Sequence, residues 1–358
     1  MVLLYHYGFR GANQGTYIQT QFPELVGWVQ FGYLGVDLFF LISGFVILLT
    51  VDTGRGLLSH FVASRASRLY PVFLVGAAFT LVLVWGRPPP FGVSAHDAWL
   101  NLTMVPGWFG ARSIDGVYWT LAVEIQFYLM VALYLLVLGR RVSVDAVLLL
   151  WSTVLATLWF FPGAPPWLRW LAMDHWGPLF LAGCLYYRVF RSGWSGLRIV
   201  QLLLAGALAT VSIQVQTQGL SNSFAIEIPV LPALLTLAVF FVVFAVLCSQ
   251  PRWFRLGGGA AVAVGALTYP LYLIHQKPGY LLLDALAPHL GRWLALIGVI
   301  ATVLLLAWLL HRLVEKPVNG RLRRWLEPRI RLLDRAQGGV RQVPEIPAQN
   351  RSESHGMP

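Results

Sequence analysis

Four ionisable side chains stand inside stretches of sequence that are otherwise apolar enough for a bilayer: His6, Asp37, Glu124 and His275. Asp37 is the sole charge in FGYLGVDLFFLISGFVILLT, residues 31–50. An ionisable group at that depth costs roughly 2.5–3.5 kcal/mol on insertion scales, so such groups are usually paired or functional. The chemistry open to this set is acid–base. A histidine held by a carboxylate can take a proton from a hydroxyl and return it to a leaving group, or carry an acyl group itself. A second set is basic. Arg65 and Arg68 are three residues apart, share one face of a helix and precede Tyr70-Pro71. Paired guanidiniums of this kind suit phosphate clamping. Each residue also has a plainer reading. Asp37 could pin a helix pair through Gly32, Gly35 and Gly44. Glu124, with Thr120 and Tyr128 four residues to either side, could be a structural hydrogen-bond hub. His6 and His275 could be interfacial, and the arginines could anchor a loop.

The elements that must position these groups are membrane helices. The chain has 358 residues, 57% hydrophobic and 11% charged, against about 25% charged in an ordinary soluble domain. Apolar runs occupy 31–50, 69–86, 117–138, 142–161, 171–188, 197–215, 226–247, 258–283 and 293–313, after a short stub, Val2 to Tyr7. A span takes about 20 residues. The fold class predicted is therefore all-α, a polytopic transmembrane helix bundle of about ten spans, the first shortened at its start. The net charge of +11 follows from arginines in alternate loops and in the tail, a positive-inside pattern rather than a nucleic-acid surface. With loop 51–68 in the cytoplasm, 20 basic residues fall on that side and 6 outside; the C-terminus is then cytoplasmic. On this topology the four ionisable groups share a slab in the outer half of the bilayer, and Arg65 and Arg68 lie at the opposite face. Cys184 and Cys248 sit in apolar runs, with neither disulfide nor metal spacing. RLRRWLEPRIRLLDR, from Arg321, reads as a basic amphipathic surface segment interrupted at Pro328, and the chain from Ala336 reads as disordered.

GYLGVDLFFLISGFVI, SRASRLYP, VYWTLAVEIQFYL, LTYPLYLIHQ and VEKP, in that order, resemble the acyltransferase family 3 membrane proteins. The resemblance covers Tyr5 to about Arg324 and implies a multi-span O-acyltransferase in a bacterial inner membrane. It would move an acyl group, most often acetyl, from cytoplasmic acyl-CoA to a hydroxyl of a cell-surface glycan. It assigns His6 to the family's essential histidine, Arg65 and Arg68 to its RxxR motif, Asp37 to the acidic residue of GVDxFF, Glu124 to the glutamate after Trp119, and His275 to the histidine closing the SYxLYLxH segment, with Thr268 in place of serine. The family's arginine eleven positions before its first histidine would precede Met1. The organisation expected is a transmembrane domain over 1–318, the basic segment over 319–335 and a tail over 336–358. Membrane lipid, acyl-CoA and a carbohydrate or glycolipid acceptor are the expected partners, with no metal and no nucleic acid, and with a homodimer left open. The rival class is a proton-coupled transporter or flippase using Asp37, Glu124 and His275 as a relay.

Overall fold

An apolar segment in lipid must satisfy its backbone internally, and only helices and closed barrels do so. The computed structural model describes residues 1–13, 17–53, 57–139, 142–250 and 258–336, and its elements are helical throughout. Helix α1 (residues 2–13) contains a π-helical turn over His6–Arg10. α2 (Pro23–Val29) runs through a 3₁₀ turn into α3 (Leu34–Thr53), and α4 (Leu58–Val84) follows. A long loop holds α5 (Ala95–Asn101), whose N-terminus is closed by a reciprocal Ser94–Asp97 capping box. Then come α6 (Trp119–Val137), α7 (Val144–Phe160), α8 (Pro166–Ala172), α9 (Gly177–Ser192), α10 (Gly196–Phe224) and α11 (Val230–Ser249). α12 (Gly258–Ile274), α13 (Lys277–Leu290), α14 (Arg292–Leu310), α15 (Lys316–Arg329) and α16 (Leu332–Ala336) complete the chain.

Each of the nine apolar runs forms helix. Among the described residues six helical stretches are long and apolar enough to cross a membrane: Pro23–Thr53, Leu58–Val84, Gly116–Val137, Gly196–Phe224, Val230–Ser249 and Arg292–Arg329. Val144–Phe160 and Ala263–Ile274 are shorter apolar helices. The molecule is a multi-pass membrane protein built as an all-α bundle. Small residues set its closest crossing. A Cβ on Gly44 of α3 would lie 2.1 Å from the Phe180 carbonyl oxygen of α9, and one on Gly183 would lie 2.0 Å from that of Leu41. Backbones approach this closely only where side chains are absent. Cys184 and Cys248 are buried free thiols.

Two features depart from the simple run-to-span picture. The run 258–283 is not one helix: α12 ends at Ile274 and α13 begins at Lys277, with His275 and Gln276 between them. The basic segment after Arg321 does not stand apart from the bundle. α15 continues from α14 and lies against the first turns of α4. There Ser67 donates to Asn319 at 3.0 Å, His60 meets Glu327 at 3.3 Å, and Asp334 accepts the Ser59 N–H at 2.9 Å and its hydroxyl at 2.6 Å. Pro328 does not interrupt this helix, which runs to Arg329. Arg55, Arg140, Arg141, Arg252, Arg255 and the tail 337–358 lie outside the described residues.

Candidate active site

All four ionisable candidates are buried, His6 with 4% of its surface exposed, Asp37 0%, Glu124 5% and His275 2%. The bundle brings the two histidines together: His275 Nε2 lies 3.2 Å from His6 Nδ1, with the rings 4.9 Å apart and edge-on. The partners of the other ring atoms decide where the protons sit. His275 Nδ1 faces two carbonyl oxygens, Tyr272 at 2.9 Å and Leu271 at 3.2 Å. A carbonyl only accepts, so His275 Nδ1 carries the hydrogen and Nε2 the lone pair. His6 Nδ1 then faces two acceptors, His275 Nε2 and the Val2 carbonyl at 2.9 Å. It must be the donor. The remaining nitrogen, His6 Nε2, is left with the lone pair, the state a general base requires. Backbone carbonyls and a second imidazole thus do what the sequence led us to expect of a carboxylate.

Neither carboxylate hydrogen-bonds to this pair. Both oxygens of Asp37 are buried without a hydrogen-bond partner. Glu124 Oε1 accepts from the Tyr128 hydroxyl one turn later on α6, while Oε2 makes no hydrogen bond. Its neighbours place it toward the basic end, within the field of Arg65 and Arg68. Arg65 Nη2 donates to Thr50 at 2.9 Å and to Ser64 at 3.3 Å, and its guanidinium carbon lies 5.9 Å from the centre of the Tyr128 ring. Its Nε is buried and unpartnered. So the expected slab of four groups resolves into a histidine pair, a separate glutamate–tyrosine–arginine group, and an isolated aspartate.

A column of hydroxyl-bearing side chains from α6 and α12 stands between the first two, its own bonds going mostly to backbone carbonyls. On α6 the residues Thr120, Glu124 and Tyr128 recur every fourth position and share one face. Tyr269 and Tyr272 on α12 and His275 just past its end recur at every third position. Tyr272 donates to the Val117 carbonyl at 2.7 Å and meets the Thr120 hydroxyl at 2.6 Å. Tyr118 donates to the Leu273 carbonyl at 3.0 Å, and Tyr269 to that of Leu69 at 3.1 Å. From Thr120 to Tyr128 the column spans about 12 Å along the helix axis. Elsewhere at the basic end the arginines are engaged with acids. Arg188 holds Asp145 by two 2.8 Å bonds, Arg198 approaches the same carboxylate at 3.4 Å, and Arg191 meets Asp52 at 3.1 Å. Sequence reading missed Tyr7, Asp115 and Thr50 altogether. Thr120 and Tyr128, four residues to either side of Glu124, carried a signal.

Fold and site together define an all-α, multi-pass membrane protein with a buried imidazole pair in its bundle. The chain belongs to the family described as the acyltransferase domain, whose model matches residues 1–312. It is 31% identical over 164 residues to the peptidoglycan O-acetyltransferase OatA of Listeria monocytogenes, a stretch covering 39% of this chain and 26% of that protein. It is 26% identical over 327 residues, 80% of each chain, to the acyltransferase MdmB of Streptomyces mycarofaciens. It is 33% identical over 132 residues to the O-acetyltransferase OatA of Staphylococcus aureus, covering 32% of this chain and 22% of that one. The matched stretches thus span about a quarter of the two O-acetyltransferases. No solved structure matches.

Proposed function

We propose that this protein transfers an acyl group, acetyl in the first instance, from cytoplasmic acyl-CoA to a hydroxyl of a glycan on the far side of a bacterial inner membrane. The observation that carries the reading is His6 Nε2, held as a free lone pair by a fixed chain of hydrogen bonds. Family membership supports acyl transfer as the class of reaction, and the O-acetyltransferases among the relatives support a hydroxyl acceptor on a glycan.

The residues divide the work by position. Arg65 and Arg68, at the arginine-rich end taken as cytoplasmic, clamp the donor's phosphates. The hydroxyl column accommodates the polar arm of the donor, so that its thioester reaches the histidines. His6 Nε2 takes the proton of the acceptor hydroxyl as its oxygen attacks the thioester carbonyl. The tetrahedral intermediate collapses with loss of the thiolate, and His6 returns the proton to the sulfur. The cation on His6 is stabilised by the lone pair of His275 Nε2 and the Val2 carbonyl. Glu124 and Tyr128 orient Arg65, and Asp37, buried on α3, is assigned to the same machinery. The transferase domain runs over 1–318, with 319–335 as a basic segment beside the first turns of α4. The full chain in liposomes, given acetyl-CoA and peptidoglycan fragments, should release free CoA thiol and yield O-acetylated product. A transporter would instead move solute down a pH gradient with no thiol release, and that result would overturn the proposal.

A further inference from the structure

The run 258–283 reads as one span, yet its helix breaks at His275. Pro278 suits the first turn of α13 and disfavours helical geometry in Lys277 before it. A break among buried residues leaves the last carbonyls of α12 and the first N–H groups of α13 to be satisfied by other means. Two side chains from distant parts of the chain supply them. The Tyr7 hydroxyl, on the residue next to His6, donates to the His275 carbonyl at 2.5 Å. The carboxylate of Asp115, fully buried, accepts the Lys277 N–H on Oδ2 at 3.0 Å and the Val117 N–H on Oδ1 at 3.3 Å. One carboxylate therefore fastens the start of α13 to the turn that begins α6. The fit against Tyr7 is tight. A Cβ on Gly279 would lie 2.0 Å from its hydroxyl oxygen, so no larger residue than glycine leaves Tyr7 in place.

We propose that Asp115 is a positioning residue for the histidine pair, acting by pinning the break that aims His275 at His6, with Tyr7 holding the other side of the same break. This rests on the reading of His6 and His275 as the acid–base pair. The groups facing the Asp115 carboxylate are Lys277 of α13, Arg10 of α1, and the hydroxyls of Tyr7, Tyr17, Tyr118, Tyr272 and Tyr280. Arg112 lies in the field of Lys277, whose Nζ is spent on the Phe91 carbonyl at 2.6 Å. Burial pushes the Asp115 carboxyl up to about 6. As pH falls through that value the group gains a proton, and one of its two acceptor oxygens becomes a donor facing an N–H.

The test uses the full chain in liposomes. Asp115→Asn keeps one acceptor oxygen and loses the other. It should lower kcat about tenfold or more, as sub-ångström misplacement of a catalytic group does, and leave the acceptor KM within about twofold. The wild-type fall in rate below about pH 6 should flatten in the variant. Amide exchange at Lys277 should quicken. Should Asp115→Asn fail to accumulate folded, Tyr7→Phe, which removes a hydroxyl and nothing else, takes its place with the same expected kcat loss. Wild-type turnover in the folded variant, beside a dead His6→Ala control, overturns the proposal alone. An active His6→Ala enzyme overturns the reading of the pair and the proposal with it.

Discussion

The tautomer chain makes His6 and His275 unequal, and their replacement separates them. His6→Ala removes the base itself. General base catalysis contributes about 10²–10⁴-fold in rate, and a loss of that size is expected in kcat. His275→Ala leaves His6 Nδ1 donating to the Val2 carbonyl at 2.9 Å, so the ring keeps its tautomer and its free Nε2. What disappears is the second acceptor, at 3.2 Å. That bond strengthens only as His6 becomes cationic, when it turns from a neutral to a charge-assisted contact worth about 1.5–3 kcal/mol. The loss in rate is the difference between the charged and the neutral bond, about 1–1.5 kcal/mol, so at about 1.4 kcal/mol per decade the rate should fall roughly 5- to 12-fold. Because the bond matters most in the transition state, the loss belongs to kcat, with KM for either substrate unchanged. Thiol release from acetyl-CoA, followed in liposomes under saturating and limiting acceptor, reads both constants. Equal losses in the two variants would refute the ordering, and a His275→Ala enzyme with wild-type kcat would refute the role of the second ring.

Two further perturbations address other parts of the bundle. Arg65→Ala and Arg68→Ala should each raise the donor KM about tenfold with little change for the acceptor, and Arg65→Lys should fail to restore it, because a point charge cannot reproduce the fork that reaches Thr50; steady-state titration of acetyl-CoA decides. Gly44→Val inserts a branched side chain where a Cβ already meets the Phe180 carbonyl at 2.1 Å, so the α3–α9 crossing must open at a cost of about 3 kcal/mol or more, read as a fall in thermal midpoint in detergent; an unchanged midpoint would mean that the crossing is not as drawn.

The fold class was legible because lipid imposes one rule on every span. Each apolar run in the sequence is helical here, 171–188 and 258–283 each split between two helices, and polar residues within those runs announced themselves by cost. The two histidines could be assigned to similar depth because depth follows from counting residues into a span. Contacts could not be counted in that way. His6 and His275 are separated by 269 positions, and their bond depends on where α12 stops. Pro278 marks that stop locally, but the groups it leaves open are satisfied by Asp115 and Tyr7, 162 and 268 residues away, which no local pattern encodes. Glu124 was assigned the depth of the histidines, but its side chain bonds to Tyr128, one turn further toward Arg65. The arginines read as a topology signal, and several of them are bound to Asp52 and Asp145, acids whose place in the sequence marks only loop ends.

Asp37 poses the sharpest question of energy against function. It sits on α3 with both carboxyl oxygens buried and neither hydrogen-bonded. A buried polar group without a partner carries its full desolvation penalty, about 1–3 kcal/mol and more if charged. If Asp37 merely filled space, an apolar residue of similar volume would serve better. Asp37→Leu should therefore stabilise the folded bundle, by about 1–2 kcal/mol after allowance for the larger side chain. The same substitution should abolish acyl transfer if the carboxyl belongs to the reaction, since unsatisfied groups of this kind persist where activity needs them at the expense of stability. Asp37→Asn, isosteric and still polar, should leave stability near wild type and test whether an ionisable group is required. Thermal midpoints measured beside thiol release distinguish the cases. A more stable and fully active Asp37→Leu protein would remove Asp37 from the mechanism. A less stable one would show that the carboxyl makes a structural contact in the membrane.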